Sequence, residues 1–478
     1  MTDSLQYHSI DSISKTHEDL TSTFRQGTTL PLAFRRQQLL QLARLVQDNQ
    51  EAIVKSLEQD LGRHALEAYL PEIGPIVAGA VAAAECLPIW TAPEKPQITE
   101  VWRQNWNTTI HKAPKGAVVM ISPWNFPWII TFSPLIGAIA AGCTVAIKPS
   151  EQSPACAALM AKLVPQYLDQ RAFRVVLGGV EETQHLLKLK WGHIFYTGSN
   201  RVGRLVAQAA GQNLTPLTLE LGGQCPVYVD GKTTDIELAA KRILWGKQQN
   251  AGQLCVAPNH VFVEEEYKDA LLDAFIKVSK AFYPNGALDD NSSFGRILND
   301  THLKRLEGLL KDTKGTIEGG KVKGSRLEPT FVNGVTLDDP VMKEEIFGPI
   351  LPIITVKDAD EAIENILSKS TPLVLYVFSN DDEVKNKFVQ RTQSGSLIFN
   401  ETFGQLAVYE IPFGGQGDSG YGAYLGKHSF DTFTHFRGSI DVPLDAATDQ
   451  AMAGKYPPYS DFALGFFKSI ADIPIPSA

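Results

Sequence analysis

The sequence is poor in the residues that staple or ligate. Its 478 residues include five cysteines: Cys86, Cys143, Cys156, Cys225 and Cys255. The number is odd and no two are spaced Cys-x-x-Cys, which argues against both a disulfide framework and a zinc cluster. No metal is expected. Runs of lysine or arginine are also missing, and 44 basic residues face 53 acidic ones for a formal net charge of −9. Nucleic-acid binding rests on clustered cations, so it is not expected here; the acidic balance favours solubility. The opening MTDSLQYHSIDSISKTHEDL lacks the apolar core of a secretory signal and the arginines of a mitochondrial presequence. A reducing cytoplasm is the expected compartment.

Long uncharged runs are scarce as well. The exception is Gly116–Ile147, 32 residues without a charge. Its length permits a membrane span, but Pro123, Pro127 and Pro134 interrupt it and Asn125 sits in its middle. Such prolines leave backbone groups unsatisfied in lipid. The stretch reads instead as two buried strands with a loop and a helix between them. The tail's longest apolar run, Phe462–Phe467, is too short to span, which leaves at most peripheral membrane contact.

What is present is an ordinary globular mix, 44% hydrophobic and 20% charged, in a chain long enough for two to four domains. Residues 15–60 are predicted helical from apolar positions three and four apart, among them Leu39, Leu42, Ala43 and Val46. A second helical pattern runs from Glu67 to Leu87 and is expected to break at Pro88. Residues 97–112 read as an extended excursion. Ala117–Ile121, Thr144–Ile147, Arg174–Leu177 and His193–Tyr196 are expected strands, separated by helices near Ser133–Ala141, Ala155–Gln166 and Glu181–Lys188. That alternation marks βαβ units and a parallel sheet. A second alternating block runs from Pro226 to Phe399, with strands near Val227–Val229, Asn259–Val263, Ile350–Val356 and Leu373–Phe378. The residues after Ile440 read as a surface wrap.

Seven segments bear on chemistry. In YTGSNRVGRLV (196–206) a strand turns at Gly198 into a helix, whose free N–H groups suit a phosphate; taken alone, a plain tight turn explains it more readily. GGQGDSG (414–420) contains a literal G-x-G-x-x-G but lacks the following helix that the dinucleotide fingerprint requires, so it reads as a loop. NAGQLCVAPN (250–259) places Cys255 among small and polar neighbours, where it is either a nucleophile or an inert buried thiol. LELGGQCP (219–226) buries Glu220 in an apolar stretch, as a general base with a raised pKa or as the partner of a buried cation. SPWNFPW (122–128) holds Asn125 between prolines, as an oxyanion donor or a turn residue. KPSE (148–151) puts Lys148 and Glu151 at a strand's carboxyl edge, where ligands bind in open α/β sheets. KEEIFGP (343–349) brings Glu345 and Phe347 into a turn.

In this order the seven segments resemble the aldehyde dehydrogenase superfamily over nearly the whole chain, most strongly from 112 to 437. KAPKGAVVMISPWNFP, LELGGQCPVYVD, MKEEIFGPILPI and GKHSFDTFTHFRG resemble the class 3 and fatty aldehyde dehydrogenases in particular. The resemblance implies an α/β fold of two open parallel-sheet domains plus a small β oligomerisation flap. Residues 1–96 and 116–220 would bind NAD(P), 221–424 would be catalytic, 97–115 with 425–443 would form the flap, and 444–478 a surface tail. It implies Cys255 as nucleophile, Glu220 as general base and Asn125 as oxyanion amide. Lys148 and Glu151 would meet the adenosine ribose, Gly198, Ser199 and Gly203 the pyrophosphate, and Glu345 and Phe347 the nicotinamide ribose and ring. NAD is the expected cofactor with NADP accepted, the substrate a small-molecule aldehyde, and the assembly a homodimer. Phe126, Trp128 and Phe403 are aromatic candidates for an apolar substrate channel, and equally for plain core packing. Two other readings accompany this one: a non-catalytic structural or binding protein on the same scaffold, and a cysteine hydrolase with an unidentified histidine.

Overall fold

The short apolar runs become the strands of two sheets, and the helical patterns become their crossovers, in a computed structural model that describes residues 5–477. Residues 1–4 of the N-terminal reading and residue 478 of the expected tail lie outside the described residues. Contacts divide the chain into two units, 1–91 with 114–435, and 92–113 with 436–478.

The larger unit holds both sheets. The first has six strands in the order Gly420–Tyr421, Leu217–Leu221, His193–Gly198, Ala117–Ile121, Thr144–Lys148, Phe173–Val175. All neighbours are parallel except Gly420–Tyr421, which runs antiparallel to Leu217–Leu221. Val118, Val119, Met120, Val145, Ala146 and Ile147 are fully buried, as strands covered by helices on both faces must be. The second sheet has seven strands in the order Ser396–Phe399, Val374–Phe378, Pro226–Val229, His260–Glu264, Ile350–Val356, Thr330–Asn333, Thr316–Glu318. Only Thr316–Glu318 is antiparallel to its neighbour.

The uncharged stretch folds as strand Ala117–Ile121, helix Pro127–Ala141 and strand Thr144–Lys148. Pro127 opens the helix, where a missing N–H costs nothing. Gly142 closes it at φ +94°, a left-handed cap that glycine adopts without strain. The loop between Ile121 and Pro127 carries Asn125 at the carboxyl edge of the first sheet.

Pro88 does not end the second helical pattern. Ala65–Ala68, a π turn at Tyr69–Ile73 and Gly74–Thr91 run on through it. Pro88 lies in the last turn, where Thr91 Oγ1 donates to Leu87 O at 2.7 Å. Among the described residues, 65–91 is the one helical stretch long and apolar enough to cross a membrane. It packs on Leu32–Asp48 and Pro127–Ala141.

In the smaller unit, 97–112 is not one continuous extended run. Val101–Arg103 form a 3-10 turn, and the strand is Thr109–Pro114, paired with Thr434–Ser439. Trp102 packs edge-on against Trp106, and the Arg103 guanidinium lies 4.4 Å from the Trp102 ring centre; this local aromatic cluster replaces strand pairing. The tail is more ordered than a wrap, with helices Ala446–Ala451 and Asp461–Ala471. Residues 426–432 form a helix whose Ser429 lies against Gly137, within the larger unit.

Candidate active site

The carboxyl ends of the first sheet gather the candidate residues, where strands stop and helix N-termini begin. Asn125 follows Ala117–Ile121, Lys148 ends Thr144–Lys148, Ser199 follows His193–Gly198, and Glu220 lies near the end of Leu217–Leu221.

Cys255 comes from the second sheet's side, on the loop after helix Ile236–Gln248. Asn250 and Ala251 sit in left-handed backbone at φ +48° and +52°, and Gly252 at +75°. A β-carbon on Gly252 would lie 2.3 Å from Gly348 O, so only glycine fits there. Asn125 Nδ2 donates to Gln253 O at 3.1 Å. Asn250 Nδ2 returns a bond to Asn125 O at 3.0 Å. The two loops are therefore tied together from both sides. Burial pushes the Cys255 thiol up, with Glu345, Cys225 and Glu220 adding in the same direction. Cys225 is buried beside Cys255, and its Sγ donates to Cys255 O at 3.2 Å.

Glu220 is buried, and neither of its carboxyl oxygens has a hydrogen-bond partner. Burial holds its pKa well above the usual carboxylate range. No cation pairs with it, so the buried ion-pair reading of this residue has no partner among the described residues. Glu345 is half-buried as a residue, with Oε1 itself buried and unpartnered and Oε2 lying where a β-carbon on Gly222 would be only 2.1 Å away. Burial pushes it up to about 8. Burial lowers Lys247, which feels the Glu345 charge, to about 7.

A cavity of about 230 Å³ opens onto Cys255 and Asn125. Its wall is mostly apolar: Phe126, Ile129, Trp245, Phe403, Leu406 and Tyr409 among others. Phe126 and Phe403 thus lie where the channel was expected. Trp128 does not; it is fully buried, donates its indole N–H to Ser56 Oγ at 3.3 Å and packs on Phe132. Trp245 and Tyr409 escaped the sequence reading, because no motif surrounds them and their facing is set by the tertiary fold.

At the other end, Lys148 Nζ meets Glu151 Oε2 at 2.8 Å. Ser199 caps helix Asn200–Gln212 by accepting from Val202 N–H at 3.4 Å. Gly203 lets that helix approach the sheet: a β-carbon there would meet Leu221 Cδ2 at 2.6 Å. Phe347 adopts φ +47° and packs edge-on against Trp124. These groups fit a dinucleotide. A helix N-terminus suits the pyrophosphate, the Lys148–Glu151 pair suits a ribose, and the orphaned Glu345 oxygen suits a second hydroxyl. The G-x-G-x-x-G of 415–420 is a loop: a 3-10 turn at Gly417–Ser419 leads into the edge strand beside Glu220.

The chain is similar to known proteins along most of its length. The sequence model described as "Aldehyde dehydrogenase family" matches residues 5–438. The chain is 41% identical over 450 residues to a Rattus norvegicus protein named aldehyde dehydrogenase, dimeric NADP-preferring, covering 94% of this chain and 98% of the relative. It is 38% identical over 470 residues to aldehyde dehydrogenase family 3 member F1 of Arabidopsis thaliana, covering 96% and 95%. Among solved structures, the substrate-bound state of Staphylococcus aureus AldH superposes with a TM-score of 0.91 at 38% identity, covering 96% of this chain and 99% of that one.

Proposed function

The chain belongs to the aldehyde dehydrogenase family, and from that premise we propose that it oxidises hydrophobic aldehydes to carboxylic acids through a thioester on Cys255. It is an NAD(P)-dependent oxidoreductase of the family 3 type. The observation that carries the finer reading is the shared apolar cavity, into which both Cys255 and Asn125 open.

Cys255 attacks the aldehyde carbon as the thiolate. Burial opposes that ionisation, so the thiol passes its proton to a water molecule as the bond forms rather than resting ionised. Asn125 Nδ2 carries two N–H groups, one of them engaged by Gln253 O. The other N–H and the Cys255 backbone N–H stabilise the tetrahedral oxyanion. Bound NAD(P) supplies the hydride acceptor, held by Lys148, Glu151, Gly198, Ser199, Gly203, Glu345 and Phe347. Glu220 then takes a proton from water, which adds to the thioester carbonyl; the thiolate leaves and the acid departs. A carboxylate with no hydrogen-bond partner, made more basic by burial, suits that task. The presence of this glutamate favours water over a second thiol as acyl acceptor.

The apolar wall favours aliphatic, aromatic or polyene aldehydes over small polar ones. NAD and NADP are both accepted. Glu151 accepts from a ribose 2′-hydroxyl and Lys148 offsets its charge toward a 2′-phosphate, in line with the relative named NADP-preferring. Residues 1–96 and 116–220 bind the cofactor, 221–424 supply the nucleophile, and 97–115 with 425–443 form the contact of a homodimer, by likeness to the dimeric relative. The protein works in the cytoplasm. The test is formation of reduced cofactor, without coenzyme A, on mixing the protein with NAD or NADP and hexanal, a long-chain aldehyde, benzaldehyde, a polyene aldehyde and a small polar aldehyde. Turnover of the apolar members supports the reading; turnover only of the polar one overturns the substrate class.

A further inference from the structure

The helix start that feeds the cavity wall carries two buried charges, Arg63 and Glu72, and a partly buried one, Glu67, that this mechanism does not use. Arg63 is 2% exposed and Glu72 is 0% exposed. Ionised groups are buried stably only when their hydrogen bonds are met. Here those bonds reach the two catalytic loops. Glu72 Oε2 accepts from Trp128 N–H at 2.8 Å and Ile129 N–H at 3.1 Å, the first turn after Asn125. Glu67 Oε2 accepts from Asn250 N–H at 2.9 Å, where the thiol loop enters its left-handed backbone. Arg63 joins the two glutamates. Its guanidinium pairs with the Glu72 carboxylate and donates to Glu67 O. It also lies 3.6 Å from Glu67 Oε2 and 4.1 Å from the centre of the Phe126 ring.

The π turn at Tyr69–Ile73 follows Glu67 and contains Glu72. Residues five apart on an α-helix point about 140° from each other. The wider turn brings Glu67 and Glu72 closer to one face, where a single arginine reaches both. Leu70 and Pro71 of the same turn line the cavity.

We propose that Glu67 is a positioning residue for aldehyde oxidation: through Asn250 N–H, and braced by Arg63 and Glu72, it holds the thiol loop in register with the loop that carries Asn125. The inference rests on the reading of Cys255 and Asn125 as nucleophile and oxyanion donor. It assigns no group of this cluster to the substrate or the cofactor.

The test compares full-length wild type, Glu67→Met and Glu67→Gln. Methionine keeps the length and helix preference while removing the acceptor; glutamine keeps a carbonyl oxygen for Asn250 N–H. A small misplacement of reacting groups costs roughly a hundredfold in rate. Glu67→Met is therefore expected to lose about that factor in kcat while aldehyde KM and the directly titrated NAD affinity stay within about threefold. Glu67→Gln recovers most of the rate. The proposal is overturned if Glu67→Met keeps kcat within about threefold, or if its loss merely follows the fraction of protein that no longer binds NAD. Should Glu67→Met not accumulate as folded protein, Glu67→Gln decides. Near-normal kcat supports the hydrogen-bond account, and a roughly hundredfold loss with intact NAD binding overturns it. Cys255→Ser, assayed alongside, separates the two readings: if it is as active as the wild type, the site assignment itself fails, whatever Glu67 does.

Discussion

The side-chain amide of Asn125 donates to the carbonyl oxygen of Gln253 at 3.1 Å, two residues ahead of Cys255. The bond joins a loop of the first sheet to a loop of the second, so Asn125 and Cys255 share one frame. Gln253 is itself fixed, its Nε2 donating to Asn250 O at 3.0 Å and to Arg296 O at 2.8 Å.

Asn125→Ala removes both the strut and the donor. Loss of one oxyanion donor costs about 3 kcal/mol in barrier, so kcat is expected to fall roughly a hundredfold or more. NAD affinity, measured by direct titration, is expected to change little because Asn125 faces the aldehyde end.

Glu220→Gln keeps the shape and removes the base. The first turnover of reduced cofactor is expected to persist while the steady-state rate falls by about a hundredfold or more. Stopped-flow absorbance separates the two phases. The pH profile follows from the same residue. Burial raises its pKa well above the usual carboxylate range, and only the ionised form accepts a proton from water. Deacylation therefore speeds up as pH rises through that raised pKa, and the rising limb is expected to vanish in Glu220→Gln.

Glu151→Gln leaves Lys148 without its 2.8 Å partner and removes a negative charge from the ribose edge. The ratio of kcat/KM for NADP over NAD is expected to rise roughly tenfold, since a 2′-phosphate then meets a free cation. Unchanged selectivity would place the 2′-position elsewhere.

The apolar cavity predicts a chain-length series. Each buried methylene contributes about 0.8 kcal/mol, which is roughly fourfold in kcat/KM. Straight-chain aldehydes are expected to climb by about that factor per carbon until the cavity is filled. A flat series from short to long would contradict the hydrophobic assignment.

Much of this was legible before any coordinates. The short apolar runs at Ala117–Ile121 and Ile350–Val356 match their strands because buried parallel strands write themselves as continuous apolar runs. Asn125 and Cys255, singled out by local context, do open onto one cavity. Trp128 looked like its neighbour Phe126 in the sequence, yet helix rotation at Pro127 points it away, toward Ser56. Pro88 reads as a stop only where the following turn has no other way to bond its carbonyls. The edge strands Thr316–Glu318 and Ser396–Phe399 span only three and four residues, too few for a pattern to stand out. The charges at Arg63, Glu67 and Glu72 were visible in an otherwise apolar stretch. Their partners at Trp128 and Asn250 lie 56 and 183 residues away, and no local pattern encodes such pairs.

The central claim is that the reaction passes through an acyl group on Cys255. Its most direct test is peptide mass spectrometry of the Glu220→Gln protein, acid-quenched after mixing with NAD and hexanal. The account predicts a hexanoyl adduct on the peptide that contains Cys255, formed in step with reduced cofactor and absent when NAD is omitted. Reduced cofactor without any adduct, or an adduct on another cysteine, would contradict it.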